Sequence, residues 1–158
     1  MRKRIINPVQ PPGTPPDQQW LNIDGLVEVE MTSEEAAHPI ESALLLDVDG
    51  SGWRAAEPGA QTLRLLFAAP QRLQRIWLKF VETQTDRTQE FVLRWSPDGG
   101  QSFQEIVRQQ WNFNRQGANS EVEDYQVELP GVTVLELIII PHIGGGDARA
   151  SLAQLRLA

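Results

Sequence analysis

The stretch Arg108-Gln109-Gln110-Trp111-Asn112-Phe113-Asn114-Arg115 mixes aromatic rings with amides and guanidinium groups. A flat ring can stack on the apolar face of a pyranose while amides and arginine bond its hydroxyls. Arg87, with Thr88, Gln89 and Glu90, approaches from a second segment and extends the same mixture. The expected ligand contacts are therefore Arg87, Arg108, Gln110, Trp111 and Asn112. Strand parity offers a competing reading. Trp111 and Phe113 share a face with Phe103, which makes them core residues unless a bulge intervenes.

Catalytic patterns are sparse by comparison. His38 and His142 each abut a proline and lack the spacing of a zinc motif. Gly144, Gly145 and Gly146 precede a strand pattern, so the helix N-terminus that makes a phosphate loop useful is missing. Glycoside hydrolysis needs two carboxyl groups, and Glu121, Glu123 and Asp124 cluster, as do Glu34 and Glu35. Both clusters open an element, where such runs are usually solvated faces. With zero cysteines, disulfides, thiol catalysis and cysteine-ligated metal are excluded. The chain is not expected to be an enzyme.

The elements that must position these residues follow from composition and period. The 158 residues, 41% hydrophobic and 22% charged, fit one globular domain. A formal charge of −7 argues against a nucleic-acid partner, and the Arg2-Lys3-Arg4 tip reads as a solvated terminus. The apolar runs at 44–46 and 137–140 are too short to cross a bilayer, and no signal-peptide pattern is visible. A cytoplasmic location without membrane insertion is the expectation; no pattern sets an oligomeric state.

Residues 7–17 hold five prolines, so residues 1–24 read as an extended arm that Trp20 can pin to a body spanning 25–158. From there the signal has period two. Leu63, Leu65 and Phe67 alternate with Thr62, Arg64 and Leu66, Ile76, Leu78 and Phe80 with Arg75, Trp77 and Lys79, and Phe91, Leu93 and Trp95 with Val92 and Arg94. Further strands are expected over 26–31, 103–113, 121–129, 132–140 and 150–157, with Val134 to Ile140 central. Pro97-Asp98-Gly99-Gly100 and Pro130-Gly131 supply turns, and a short helix is expected at 33–37, capped by Thr32 or Ser33. The fold class is all-β, a jelly-roll β-sandwich of about eight antiparallel strands.

Phrases in order then carry a resemblance. They are Thr32-Ser33-Glu34-Glu35, His38-Pro39-Ile40-Glu41-Ser42-Ala43-Leu44, Gly52-Trp53-Arg54-Ala55 and Pro58-Gly59 with Gln61-Thr62-Leu63-Arg64-Leu65. Trp95-Ser96-Pro97-Asp98-Gly99-Gly100 and Ala150-Ser151-Leu152-Ala153-Gln154-Leu155 follow. Over residues 25–158 the chain resembles the discoidin, or coagulation-factor type C, branch of the galactose-binding-like sandwiches, which includes carbohydrate-binding modules. The resemblance implies a binding module with its ligand on loops at one end, recognising a carbohydrate or similar polyol. A protein-interaction module on the same scaffold is the alternative. Trp53 is expected to pack beneath the loops, and Arg54 to brace Asp47 or Asp49.

The resemblance also implies a structural calcium near the Asp/Gly turn, capped by a carboxylate on the last strand. Asp47, Asp49, Ser51 and Gln154 are the matching positions, with Gln154 where those relatives carry Glu. The residues themselves fit an Asx-type turn that orders the loop, and that reading is preferred.

Overall fold

The computed structural model describes residues 1–3, 14–48 and 51–158. Along the chain come β1 (Val27–Met31), α1 (Glu41–Leu44), β2 (Trp53–Arg54), β3 (Gln61–Val81) and β4 (Arg87–Ser96). They are followed by β5 (Gln104–Phe113), β6 (Ser120–Ile140), β7 (Ser151–Leu152) and β8 (Gln154–Leu157). Every ladder between these strands is antiparallel.

Two strands of 21 residues each, β3 and β6, build both layers of the sandwich. Their outer halves, Gln61 to Leu66 against Val134 to Ile139, lie between β1 and β4, and β5 extends that layer. Their other halves pair from Arg75 with Gln126 to Val81 with Ser120, and β8 adds beside β3. Between them the register shifts repeatedly from Leu66 to Arg75. Pro70 lies there and packs 4.0 Å from the position a Gly131 side chain would take, beside Pro130. Proline gives the ladder no donor, so both strands bend here and pass from one layer to the other. The shift also flips parity: 63, 65 and 67 face inward before it, 76, 78 and 80 after it.

Leu63, Leu65, Leu93, Leu135 and Leu137 of the first layer meet Leu155 of β8, with Leu152, Ile40 and Leu44 closing the side. Burying each such leucine contributes about 1.5–3 kcal/mol. Phe80 stacks on Phe91 across the layers with ring centroids 5.1 Å apart. Where β2 docks on β7, Gly52 (φ 84°) is required, because any side chain there would overlap the Leu152 carbonyl and the Ala153 backbone.

The outer face of the first layer carries one rung of alternating charge. Glu30, Arg64, Glu136, Arg94 and Glu105 stand opposite one another across β1, β3, β6, β4 and β5. Glu136 is fully buried between Arg64 Nε and Arg94 Nε, each at 2.7 Å.

Three expectations are corrected. The helix forms at Glu41–Leu44 rather than at 33–37. Thr32 Oγ1 instead accepts the Thr62 N–H at 2.8 Å, and Ser33 Oγ accepts those of Ala56 and Glu57, so neither is spent on a cap. The expected strands at 62–67 and 75–80 are one strand, as are those at 121–129 and 132–140. The body also begins before residue 25: Ile23 belongs to the core, and Leu21 N donates to Leu157 O at 2.7 Å.

Candidate functional site

At the end of the sandwich where β3 bends, the Leu21–Leu157 bond holds residues 18–22 beside β8. Arg72 and Gln74 keep the outward parity of the first half, and the register shift between Leu73 and Arg75 turns Arg75 to the same side, which plain alternation forbids. Between these segments runs an open groove of about 960 Å³, lined by Gln18, Trp20, Arg72, Gln74, Arg75 and Gln126 among others. Its floor is ordered. Arg75 Nε and Nη2 fork onto both oxygens of Asp124, the first at 2.9 Å, and Nη1 donates to Gln18 Oε1 at 3.2 Å. The hydrogen bond to Asp124 raises the Arg75 pKa above the ordinary arginine value. The guanidinium carbon lies 5.5 Å from the centre of the Trp20 ring. Arg72 Nη2 and Gln74 Nε2 both donate to Glu128, at 3.1 and 3.3 Å. An indole face beside amides and guanidinium groups suits a polyhydroxylated ligand.

The expected contact residues are divided instead of gathered. Alternation along β5 sends Arg108, Gln110 and Asn112 outward, where Glu90 accepts from Arg108 (3.2 Å) and Gln110 (3.3 Å). Trp111 turns inward and packs against the core, but not on the face of Phe103: the bulge between Leu93 and Arg94 leaves Phe103 under the Arg94 guanidinium on the outer face. Arg87 is buried as well. Its Nε donates to Glu82 at 2.7 Å, its Nη1 to Pro141 O at 2.6 Å, and it lies over the Phe113 ring. Two faces of a sheet cannot contact one small ligand. Trp53 is sealed, donating to Ser33 O at 3.2 Å, and Arg54 pairs with Glu35 at 3.5 Å, not with Asp47 among the described residues.

No protein-family model matches the sequence, and no curated protein matches it. Solved structures do match. A family 32 carbohydrate-binding module of Clostridium perfringens NanJ, in complex with galactose, aligns over 83% of this chain and 92% of its own. That match has a TM-score of 0.59 at 18% identity. The third such module from a C. perfringens family 31 glycoside hydrolase gives 0.61 at 18% identity, covering 87% and 93% of the two chains. The family 32 module of AlyQ, in complex with 4,5-unsaturated mannuronic acid, gives 0.60 at 13%, covering 84% and 95%. The chain shares the β-sandwich fold of these family 32 modules.

The calcium that a discoidin-like fold implies can be tested against this loop. Asp47 and Ser51 are exposed, and Ser51 Oγ is engaged by His38 Nδ1 at 2.6 Å; Asp49 lies outside the described residues. Two backbone carbonyls leading into this loop are already taken. Arg156, buried on β8, donates Nη1 to Ala43 O at 2.9 Å and Nη2 to Leu45 O at 3.5 Å. Burial lowers its pKa below the ordinary arginine value, and among the described residues no carboxylate pairs with it. A divalent ion placed here would meet a fixed positive charge. The described residues therefore do not fit calcium, and Arg156 itself ties α1 to the last strand. Gln154 Oε1 is buried without a hydrogen-bond partner among the described residues. Arg156→Met is expected to cost about 2 kcal/mol, the worth of charged hydrogen bonds, lowering Tm by roughly 5 °C. In the same melts neither calcium nor a chelator should move the unmutated protein. A chelator-induced fall would refute this assignment.

Sequence reasoning treated Trp20 only as a pin for the arm and passed over Arg72, Gln74, Arg75 and Gln126. The one available signal was Trp20 following Gln18-Gln19 directly after the proline-rich segment.

Proposed function

We propose that this chain is a non-catalytic carbohydrate-binding module that holds a glycan in the groove beside Trp20. The observation that carries this reading is the groove itself. An indole, two arginines held in place by carboxylates, and the amides of Gln18, Gln74 and Gln126 converge there at one end of the sandwich. Modules of the same fold have been solved with galactose and with 4,5-unsaturated mannuronic acid, which supports a sugar as the ligand class. The carboxyl groups closest to a hydrolytic arrangement lie elsewhere. Glu121 is fully buried between the layers and hydrogen-bonded by Gln89 Nε2 at 3.3 Å, which leaves a substrate no approach.

Binding to immobilised oligosaccharides, measured for the unmutated protein and Trp20→Ala, tests the reading. Stacking loss is expected to weaken binding tenfold or more, about 1.4 kcal/mol, with Trp20→Phe retaining part of it. Equal retention of Trp20→Ala, or silence across a diverse set of glycans, would remove the groove as the site.

A further inference from the structure

The groove contains two guanidinium groups, and each already has its counter-charge. Arg75 forks onto Asp124 and gives a third hydrogen bond to Gln18. Arg72 is taken by Glu128, which also accepts from Gln74. The fixed side-chain charges on this surface cancel pair by pair, within a chain whose formal charge is −7. What the lining offers a ligand beyond these pairs is the Trp20 indole, the Gln126 amide, the NH2 of Asn22, whose Oδ1 accepts the Asp24 N–H at 3.2 Å, and the guanidinium N–H groups not spent on carboxylates.

We infer that the groove takes an uncharged sugar, a neutral hexose or N-acetylhexosamine unit, in preference to a uronate or an amino sugar. This rests on the carbohydrate reading above. A uronate carboxylate brought against Arg75 would stand beside Asp124, and the repulsion of like charges would offset its attraction to the guanidinium. The protein's net negative field opposes a polyuronate at longer range. An amino sugar gains nothing specific, because Asp124 and Glu128 already hold guanidinium partners. A hydroxyl needs none of these charges displaced: it accepts from one free N–H and donates to one amide oxygen. The fold alone leaves the choice open, since its solved examples hold both galactose and an unsaturated uronate.

Titration calorimetry of the whole protein with neutral galacto-oligosaccharides and N-acetylchito-oligosaccharides, oligogalacturonate and chitosan oligomers decides the matter. A neutral series should bind at least tenfold tighter than either charged one and lose that binding in Trp20→Ala. In Asp124→Asn, which frees Arg75 of its carboxylate, the affinity for oligogalacturonate relative to the neutral ligand should rise tenfold or more. Glu128→Gln, at an exposed pair, gives the same comparison for Arg72 without disturbing the core. Tightest binding of oligogalacturonate or chitosan, lost in Trp20→Ala, would overturn the inference while leaving a sugar in the groove. No binding of any series, or binding indifferent to Trp20→Ala, would instead remove the carbohydrate site and the inference with it. A relative affinity for uronate that stays flat in both carboxylate variants would overturn the charge argument alone.

Discussion

Glu136→Ala is expected to cost about 3 kcal/mol of stability and to lower Tm by roughly 6–12 °C. The side chain is wholly buried in the centre of the charged rung, and each of its oxygens receives one arginine at 2.7 Å. Removing it leaves Arg64 and Arg94 adjacent across β6 with no charge between them, over a strand buried on both sides. Both arginines keep more than a third of their surface in water, so they can partly rehydrate. That places the cost at the low end for breaking a buried ion pair. Glu136→Gln, which keeps an acceptor but drops the charge, should lose about half as much. Thermal melts at low and high salt check this. A Tm for Glu136→Ala within about 2 °C of the parent would show that the rung contributes little.

Stability is also expected to fall as pH rises from about 5 to about 8, and Glu121→Gln should remove most of that slope. Glu121, Glu123 and Tyr125 alternate along β6, with Gln89 and Arg87 facing them from β4. Burial first, then the hydrogen bond and charge of Glu123, push the Glu121 carboxyl up to about 8, against the opposing pull of Gln89 and Arg87. The same burial and both carboxyls hold the Tyr125 phenol well above its usual range. The Glu121 oxygen not used by Gln89 is buried without a hydrogen-bond partner among the described residues, which favours the protonated, neutral acid.

The sign follows from which state holds that proton. The folded carboxyl is protonated up to about pH 8, whereas the unfolded one releases its proton near the ordinary 4.5. The contribution is therefore complete below the unfolded value, declines through the interval, and is gone above about pH 8. The slope is at most about 1.4 kcal/mol per pH unit. Glutamine mimics the protonated acid at every pH, so urea midpoints of the variant should exceed those of the parent at pH 8 and approach them at pH 5. Parallel curves for the two proteins would dismiss the buried proton.

The period-two pattern made the fold legible because inward side chains such as Leu63, Leu65, Ile76 and Leu78 are apolar whatever their partners. It did not show that β3 and β6 run on through their bends. Pro70 and Pro130 read locally as stops, and only pairing between strands keeps the chain extended through them. Alternation does separate Trp111 from Arg108 and Asn112, but Phe103 was no guide to which face is inward, because the bulge between Leu93 and Arg94 intervenes. Arg87 misled because the groups that bury it, Glu82, Gln89 and the Pro141 carbonyl, come from both sides of it in the chain. The groove was hidden for a related reason. Gln18, Arg75 and Asp124 are separated by 57 and 49 residues, and the register shift that turns Arg75 to the side of Arg72 and Gln74 has no local signature.

The passage of β3 and β6 through both layers has a mechanical consequence. Arg72, Gln74 and Arg75 sit at the middle of β3, not at a loop tip. A tug on a polymer seated there enters the sandwich where that strand is bonded ahead and behind. Along its two halves that strand is bonded to β6 throughout, to β1 in the first layer and to β8 in the second.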